Sequence, residues 1–197
     1  MLRFIGFYDY TVVLTYMSLC SAVIGMVLST KGYFTAAVIC LFLSGFCDAF
    51  DGIVARTKKN RTEDEKAFGI QLDSLCDVVS FGVFPGLLCY HMGVDGVIGI
   101  GCIFFYCLCA VIRLAFFNVM EGKRQKEEGG VNKTYRGLPV TSIAMIFPLV
   151  YVLTLILPED VFAVVLHVML AVTGFLFILD FSVKKLDFRK ILVGKSS

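Results

Sequence analysis

Charge is scarce in this chain: only 17% of its 197 residues are Asp, Glu, Lys or Arg, whereas 58% are hydrophobic. That balance excludes an ordinary water-soluble domain, in which about a quarter of residues are charged. A secretory-type cleavage site is missing too. The segment Met1 to Tyr10 carries Arg3 among Leu2, Phe4, Ile5, Phe7 and Tyr8 without the small-residue pattern a signal peptidase needs, and is expected to form a short interfacial helix on the inner leaflet. No tandem repeat, low-complexity linker or soluble-looking segment divides the chain, so residues 1–197 read as one membrane domain. The eight cysteines all fall inside apolar runs and none has the paired spacing of a loop-borne thiolate site, which excludes a structural zinc module and leaves them as small packing residues. Histidine is nearly absent: His91 falls near an outer turn and His167 within the last helix, both in structural roles. With a net charge of +2 and its basic residues in short runs, the chain offers nucleic acid no footing.

Long hydrophobic runs are what the chain does have, at about Val12 to Leu28, Tyr33 to Val54, Ile70 to Tyr90, Val97 to Phe117, Leu138 to Leu157 and Val161 to Phe181. A helix needs roughly 20 residues to span a bilayer. The expected fold is therefore all-α and polytopic, with six transmembrane helices after the N-terminal interfacial one. Lys and Arg concentrate in the loops Arg56 to Lys66 and Gly122 to Arg136 and in the tail from Lys184, while the alternate turns hold only Lys31. The positive-inside rule then places both termini and those loops in the cytoplasm, in a multi-pass protein of the cell membrane, and the basic edges attract anionic lipid headgroups.

Against this apolar background stand four aspartates: Asp48 and Asp51 near the end of the second run, Asp73 and Asp77 near the start of the third. A carboxylate in or near hydrocarbon costs at least ~2.5 kcal/mol on the lenient insertion scale, so four together call for a cation. Spacings of three and four residues put each pair on one helical face. The polar stretch Thr57 to Phe68 is too short to cross a bilayer, so all four carboxylates meet at one membrane surface. Oxygen-only ligands select a hard cation, Mg2+, Mn2+ or Ca2+, over zinc or copper.

Glycine costs ~1 kcal/mol relative to alanine inside a helix, so Gly52 and Gly69 beside these carboxylates ask for a reason. A bare backbone lets a flat ligand approach closely, and Arg56, one turn after Gly52, suits a phosphate or a carboxylate. Cation, glycine and arginine together point to a diphosphate ligand. The bland reading, carboxylates that only snorkel or pair with Lys58, Lys59 and Arg61, predicts no fixed spacing.

The set Asp48, Asp51, Gly52, Ala55, Arg56, Gly69, Asp73 and Asp77 resembles the signature D-x-x-D-G-x-x-A-R, spacer, G-x-x-x-D-x-x-x-D of the CDP-alcohol phosphatidyltransferases. The segment LDSLCDVVSFGVFPG, the run Arg113 to Asn118 (RLAFFN) and Gly137-Leu138-Pro139 are similar to segments of the phosphatidylserine synthase branch of that family. This resemblance implies that an alcohol, here L-serine, attacks the lipid-bearing phosphorus of CDP-diacylglycerol and expels CMP. It implies Mg2+ or Mn2+ on Asp48, Asp51, Asp73 and Asp77, with Asp77 also the general base. Gly52, Ala55, Arg56, Gly69, Ser18 and Thr62 are carried over as contacts to the CDP-lipid, and a homodimer is implied.

The acceptor needs partners of its own: Arg113 can fork onto the serine carboxylate, with Asn118 and Arg136 completing the pocket. Rival readings keep the chemistry but take glycerol phosphate or inositol phosphate as acceptor, or an archaeal ether lipid as donor. A cation transporter is the alternative from another class; it would place its carboxylates near the midplane on broken helices. Glu63, Asp64, Glu65 and the Glu127-Glu128 pair read as solvated loop charges, and Lys123, Arg124, Lys126, Lys133, Lys184, Lys185, Arg189 and Lys190 as topology signals.

Overall fold

The computed structural model describes residues 5–8, 10–55, 58, 62–126 and 134–184; within these, the side chains of 53, 55, 123–126, 134–136 and 182–184 are not described. A 3-10 turn at Tyr10–Val12 leads into α1 (Val13–Thr30), followed by α2 (Phe34–Ala55), α3 (Glu63–Asp77), a π-helical segment (Val78–Val83), α4 (Phe84–His91) and α5 (Gly96–Lys126). The strand β1 (Thr134–Arg136), α6 (Ile143–Tyr151) between 3-10 turns at Val140–Ser142 and Val152–Leu155, α7 (Glu159–Ile178) and β2 (Ser182–Lys184) complete it.

Among the described residues, five helical runs are long and apolar enough to cross a membrane: Tyr10–Thr30, Phe34–Gly52, Glu63–His91, Gly96–Gly122 and Glu159–Ile178. The expected sixth span, Leu138 to Leu157, is instead the shorter Val140–Leu155. Proline explains the shortening. Pro139 precedes it, Pro158 caps α7 just after it, and Pro148 inside α6 removes a backbone donor before the helix tightens into a 3-10 turn. The interfacial helix expected at Met1 to Tyr10 is not seen in its described part: Ile5 to Tyr8 are non-helical and pack across the start of α3, with the Phe7 and Phe68 rings 5.5 Å apart.

Large apolar side chains such as Phe42, Phe46, Ile98, Phe104, Leu149 and Phe175 point outward, around a core of Phe81, Phe84, Tyr106 and Phe147, and small residues lie at several of the contacts between helices. In lipid, the close backbone approach that such small residues allow is a source of packing energy. Ser18 and Ser44 bond reciprocally across α1 and α2, each hydroxyl reaching the other residue's carbonyl at 3.0 Å. Ser21 reaches the Cys40 carbonyl at 2.8 Å. On the far side, Gly174 of α7 lies against Tyr106 of α5, leaving only 3.2 Å for any Cβ.

Two features set where the aspartates stand. The first is an early start to α3: the polar stretch expected as loop to Phe68 becomes helical at Glu63, because Thr62 and Glu65 form a capping box and Glu63, Asp64 and Glu65 occupy the first turn. Asp73 and Asp77 consequently lie well inside the Glu63–His91 run, whereas Asp48 and Asp51 sit in the last turns of α2. The second is the π-helical segment directly after Asp77. The Tyr106 hydroxyl donates to the Phe81 carbonyl at 2.6 Å and the Cys107 thiol to the Gly82 carbonyl at 3.3 Å, so α5 satisfies backbone groups of this widened turn.

A Cβ at Gly45 would collide with Ala144 Cβ at the start of α6. Gly45→Val is expected to force α2 from α6 at a cost of ~1–3 kcal/mol, read as a lower Tm in detergent. An unchanged Tm would mean that this contact is not needed.

Candidate metal centre

Helical spacing brings the four carboxylates together as expected. Asp48 and Asp51 share a face of α2, Asp73 and Asp77 a face of α3, and one oxygen each of Asp48, Asp73 and Asp77 lies within 4.8 Å of the others. The Asp48 and Asp77 side chains touch, as do those of Asp51 and Asp73. Asp77 is buried, and Asp73 Oδ1 is a buried acceptor without a hydrogen-bond partner among the described residues. A buried oxygen left unsatisfied costs ~1–3 kcal/mol, so this one could serve a cation. Ser80 Oγ, three residues past Asp77 and fully buried, is likewise unpartnered among the described residues. Three converging carboxylates, an orphaned acidic oxygen and an all-oxygen donor set fit a hard divalent cation.

The structure adds a residue that sequence reading missed. Thr15 of α1 donates from Oγ1 to Asp51 Oδ2 at 3.1 Å. The available signal was positional: Thr15 precedes Ser18 by three residues and so shares its face of α1. Ser18, expected to touch the CDP-lipid, has its hydroxyl 2.8 Å from Ser44 Oγ and ties α1 to α2. Thr62, also expected there, is the exposed N-cap of α3, its side chain accepting from Glu65 N at 3.2 Å.

Gly52 is exposed, and a Cβ added there meets nothing within 4 Å. No neighbour among the described residues demands a glycine at this point. Gly69 is half-buried one turn before Asp73. Ala55 ends α2, its side chain not described, and Arg56 lies outside the described residues.

Of the acceptor candidates, Asn118 of α5 accepts from Ser74 Oγ at 2.8 Å, between Asp73 and Asp77 on α3. Arg113 Nε donates to the Leu138 carbonyl at 3.3 Å. Arg136 belongs to β1, with its side chain not described.

An all-helical bundle that carries an aspartate cluster between two adjoining membrane-length helices defines a class: helical membrane proteins with a cation-binding carboxylate centre. The CDP-alcohol phosphatidyltransferase family model matches residues 11–179, and the chain belongs to that family. It is 37% identical over 133 residues to an archaetidylserine synthase of Methanothermobacter thermautotrophicus, covering 67% of this chain and 54% of that protein. Two proteins named CDP-diacylglycerol–serine O-phosphatidyltransferase are also similar. The one from Saccharomyces cerevisiae is 35% identical over 63% of this chain and 45% of its own length, and the one from Bacillus subtilis 36% over 56% of each. The chain thus spans about half the length of these relatives.

Groups that orient ligating carboxylates typically change metal affinity by about 10–100-fold when removed. Thr15→Val, close in shape but without the hydroxyl, is expected to weaken Mn2+ binding by roughly tenfold in calorimetry. Unaltered affinity would remove Thr15 from the support of the centre.

Proposed function

We propose that this chain transfers the phosphatidyl group of CDP-diacylglycerol to L-serine, forming phosphatidylserine and releasing CMP. The observation that carries the reading is the convergence of Asp48, Asp73 and Asp77, with Asp51 against Asp73, in the signature order of the family to which the chain belongs. The names of the similar proteins agree on serine and differ in the lipid. An ether-linked donor is therefore a second reading with its own support.

Asp48, Asp51, Asp73 and Asp77 would hold Mg2+ or Mn2+, which when bound neutralises the diphosphate and the charge left on departing CMP. The chain's own residues do the rest. Asp77, buried against Asp48, accepts the proton of the serine hydroxyl as its oxygen bonds to the lipid-bearing phosphorus and the bond from that phosphorus to the CMP oxygen breaks. The open surface at Gly52, with Ala55, Arg56 and Gly69, receives the cytidine end. Ser18 supports this floor through Ser44, and Thr62 does so by fixing the start of α3. Arg113, Asn118 and Arg136 serve the acceptor, and Asn118 is already held beside the carboxylates by Ser74.

The basic loops orient this end of the bundle toward the cytoplasm, where serine and CDP-lipid headgroups meet. A homodimer in the cell membrane belongs to the same reading. Transport is disfavoured because the chain belongs to a phosphatidyltransferase family and because Asp48 and Asp51 stand in the last turns of α2.

The test is CMP release by the purified protein with Mg2+ or Mn2+, comparing L-serine with glycerol 3-phosphate and inositol 1-phosphate. Serine-dependent release is expected, and release with a phosphorylated acceptor alone would overturn the assignment. Asp77→Asn is expected to lose roughly 100-fold or more in turnover while still binding metal and CDP-lipid, whereas Asp51→Asn loses the metal response. Retained turnover in Asp77→Asn would remove it as the base.

A further inference from the structure

α5 and the end of α7 border a space that the four aspartates do not line. It is a cavity of about 210 Å³, walled by Ile112, Phe116, Phe177 and Leu179 and carrying two opposite charges, Arg113 and Asp180. Pockets for drug-sized ligands run to ~300–1,000 Å³, so this one suits a small molecule and not a nucleotide.

One backbone frame sets both charges. Gly137 N donates to the Phe181 carbonyl at 2.7 Å and Leu138 N to the Leu176 carbonyl at 3.4 Å, bracketing Asp180, while β1 pairs antiparallel with β2. Arg113 in turn bonds the Leu138 carbonyl. Gly137 has φ +69°, and a Cβ there would lie 3.0 Å from the Leu179 carbonyl oxygen and 3.6 Å from Arg113 Cζ. Glycine is therefore needed to bring the loop this close to the guanidinium.

Register relates this cavity to the carboxylates. Ser74 meets Asn118, and Gly82 faces Ala110, whose Cβ is 3.5 Å from where a Gly82 Cβ would stand. Arg113 lies between those two contacts along α5, as Asp77 does along α3, so both stand at similar depth.

We propose that Asp180 receives the ammonium group of an amino-acid acceptor whose carboxylate is held by Arg113, so that this cavity selects a zwitterion. The inference rests on the serine reading above and deepens it by naming the specificity residue. Opposite charges on apolar walls favour a ligand that carries both complements, and each charge also works against the wrong acceptor. A phosphorylated alcohol brings its dianion toward Asp180, and an amino alcohol lacks the carboxylate that Arg113 would hold. The rival role for the pair is a tether between α5 and the end of α7, which would act on stability and on every acceptor alike.

The experiment follows CMP release by the full chain with L-serine, 3-hydroxypropionate, which lacks the ammonium, and ethanolamine, which lacks the carboxylate. Asp180→Asn is expected to raise the KM for L-serine by roughly tenfold or more, the loss of one charge-assisted hydrogen bond. The KM for CDP-diacylglycerol stays unchanged, the preference for serine over 3-hydroxypropionate narrows, and Asp180→Glu restores most of both. An unchanged serine KM in Asp180→Asn overturns the proposal, as does an equal loss with all three acceptors accompanied by a lower Tm. Wild-type protein without serine-dependent release would instead overturn the acceptor reading itself, and that result is read before any variant is made.

Discussion

Like charges held in a medium that screens them poorly are the constraint on which this structure turns. Two carboxylates 4.8 Å apart repel by ~3 kcal/mol even at an effective dielectric of 20, and here Asp48, Asp73 and Asp77 are mutually that close, with Asp51 against Asp73. The scaffold keeps the helices of such a cluster from parting, and a bound cation would offset the repulsion. The scaffold's contribution is visible in α1, which lays Thr15 on Asp51 and locks Ser18 to Ser44 one turn below Asp48. On the other flank α5 fixes α3 through Asn118 and Ser74. These polar bonds thus flank the charge.

The π-helical segment after Asp77 belongs to the same logic. Widened turns are costly in isolation and recur at functional sites. This one survives because Tyr106 and Cys107 of α5 take up the carbonyls of Phe81 and Gly82. Phe81, within the turn, and Phe84, just beyond it, are fully buried in the core, and Ser80, also within the turn, has an unpartnered hydroxyl among the described residues. A single helical run therefore serves a polar site at its middle and an apolar core in its second half. The turn is where one gives way to the other.

How much of this was legible in the sequence follows from which forces are local. The paired aspartates were readable because helical periodicity alone places residues three and four apart on one face. Their convergence was readable because the linker is short. The early start of α3 was also written locally, in Thr62 and Glu65, but a polar stretch between apolar runs reads as loop unless its capping box is noticed. Prolines 139, 148 and 158 mark the shortened sixth segment, although hydropathy alone carries it to full length. The β1–β2 ribbon left no trace, because strands of three residues are held by tertiary pairing and not by propensity. Thr15 was hidden for a different reason: a hydroxyl in an apolar helix usually bonds its own backbone, as Thr173 does with Met169, so its chemistry shows only when a neighbour is seen.

A division of labour along the chain follows from the geometry. The carboxylates of α2 and α3 form a centre whose chemistry suits any alcohol attacking a CDP-linked lipid, since neither a cation nor a general base distinguishes serine from a sugar phosphate. Selection among acceptors must therefore come from groups that touch the rest of the acceptor. In the proposed reading those groups belong to α5, which packs against α3, and to the Gly137-Leu138 turn and the end of α7, which pack against α5. Because that turn is pinned by backbone bonds to α7 and by the Arg113 guanidinium to α5, its shape can change with the residues around it while the aspartate pairs stay in place. The same scaffold can then keep one reaction and vary its acceptor, which is the physical sense in which membership of a family defined by its donor leaves the acceptor to be read from α5 and α7.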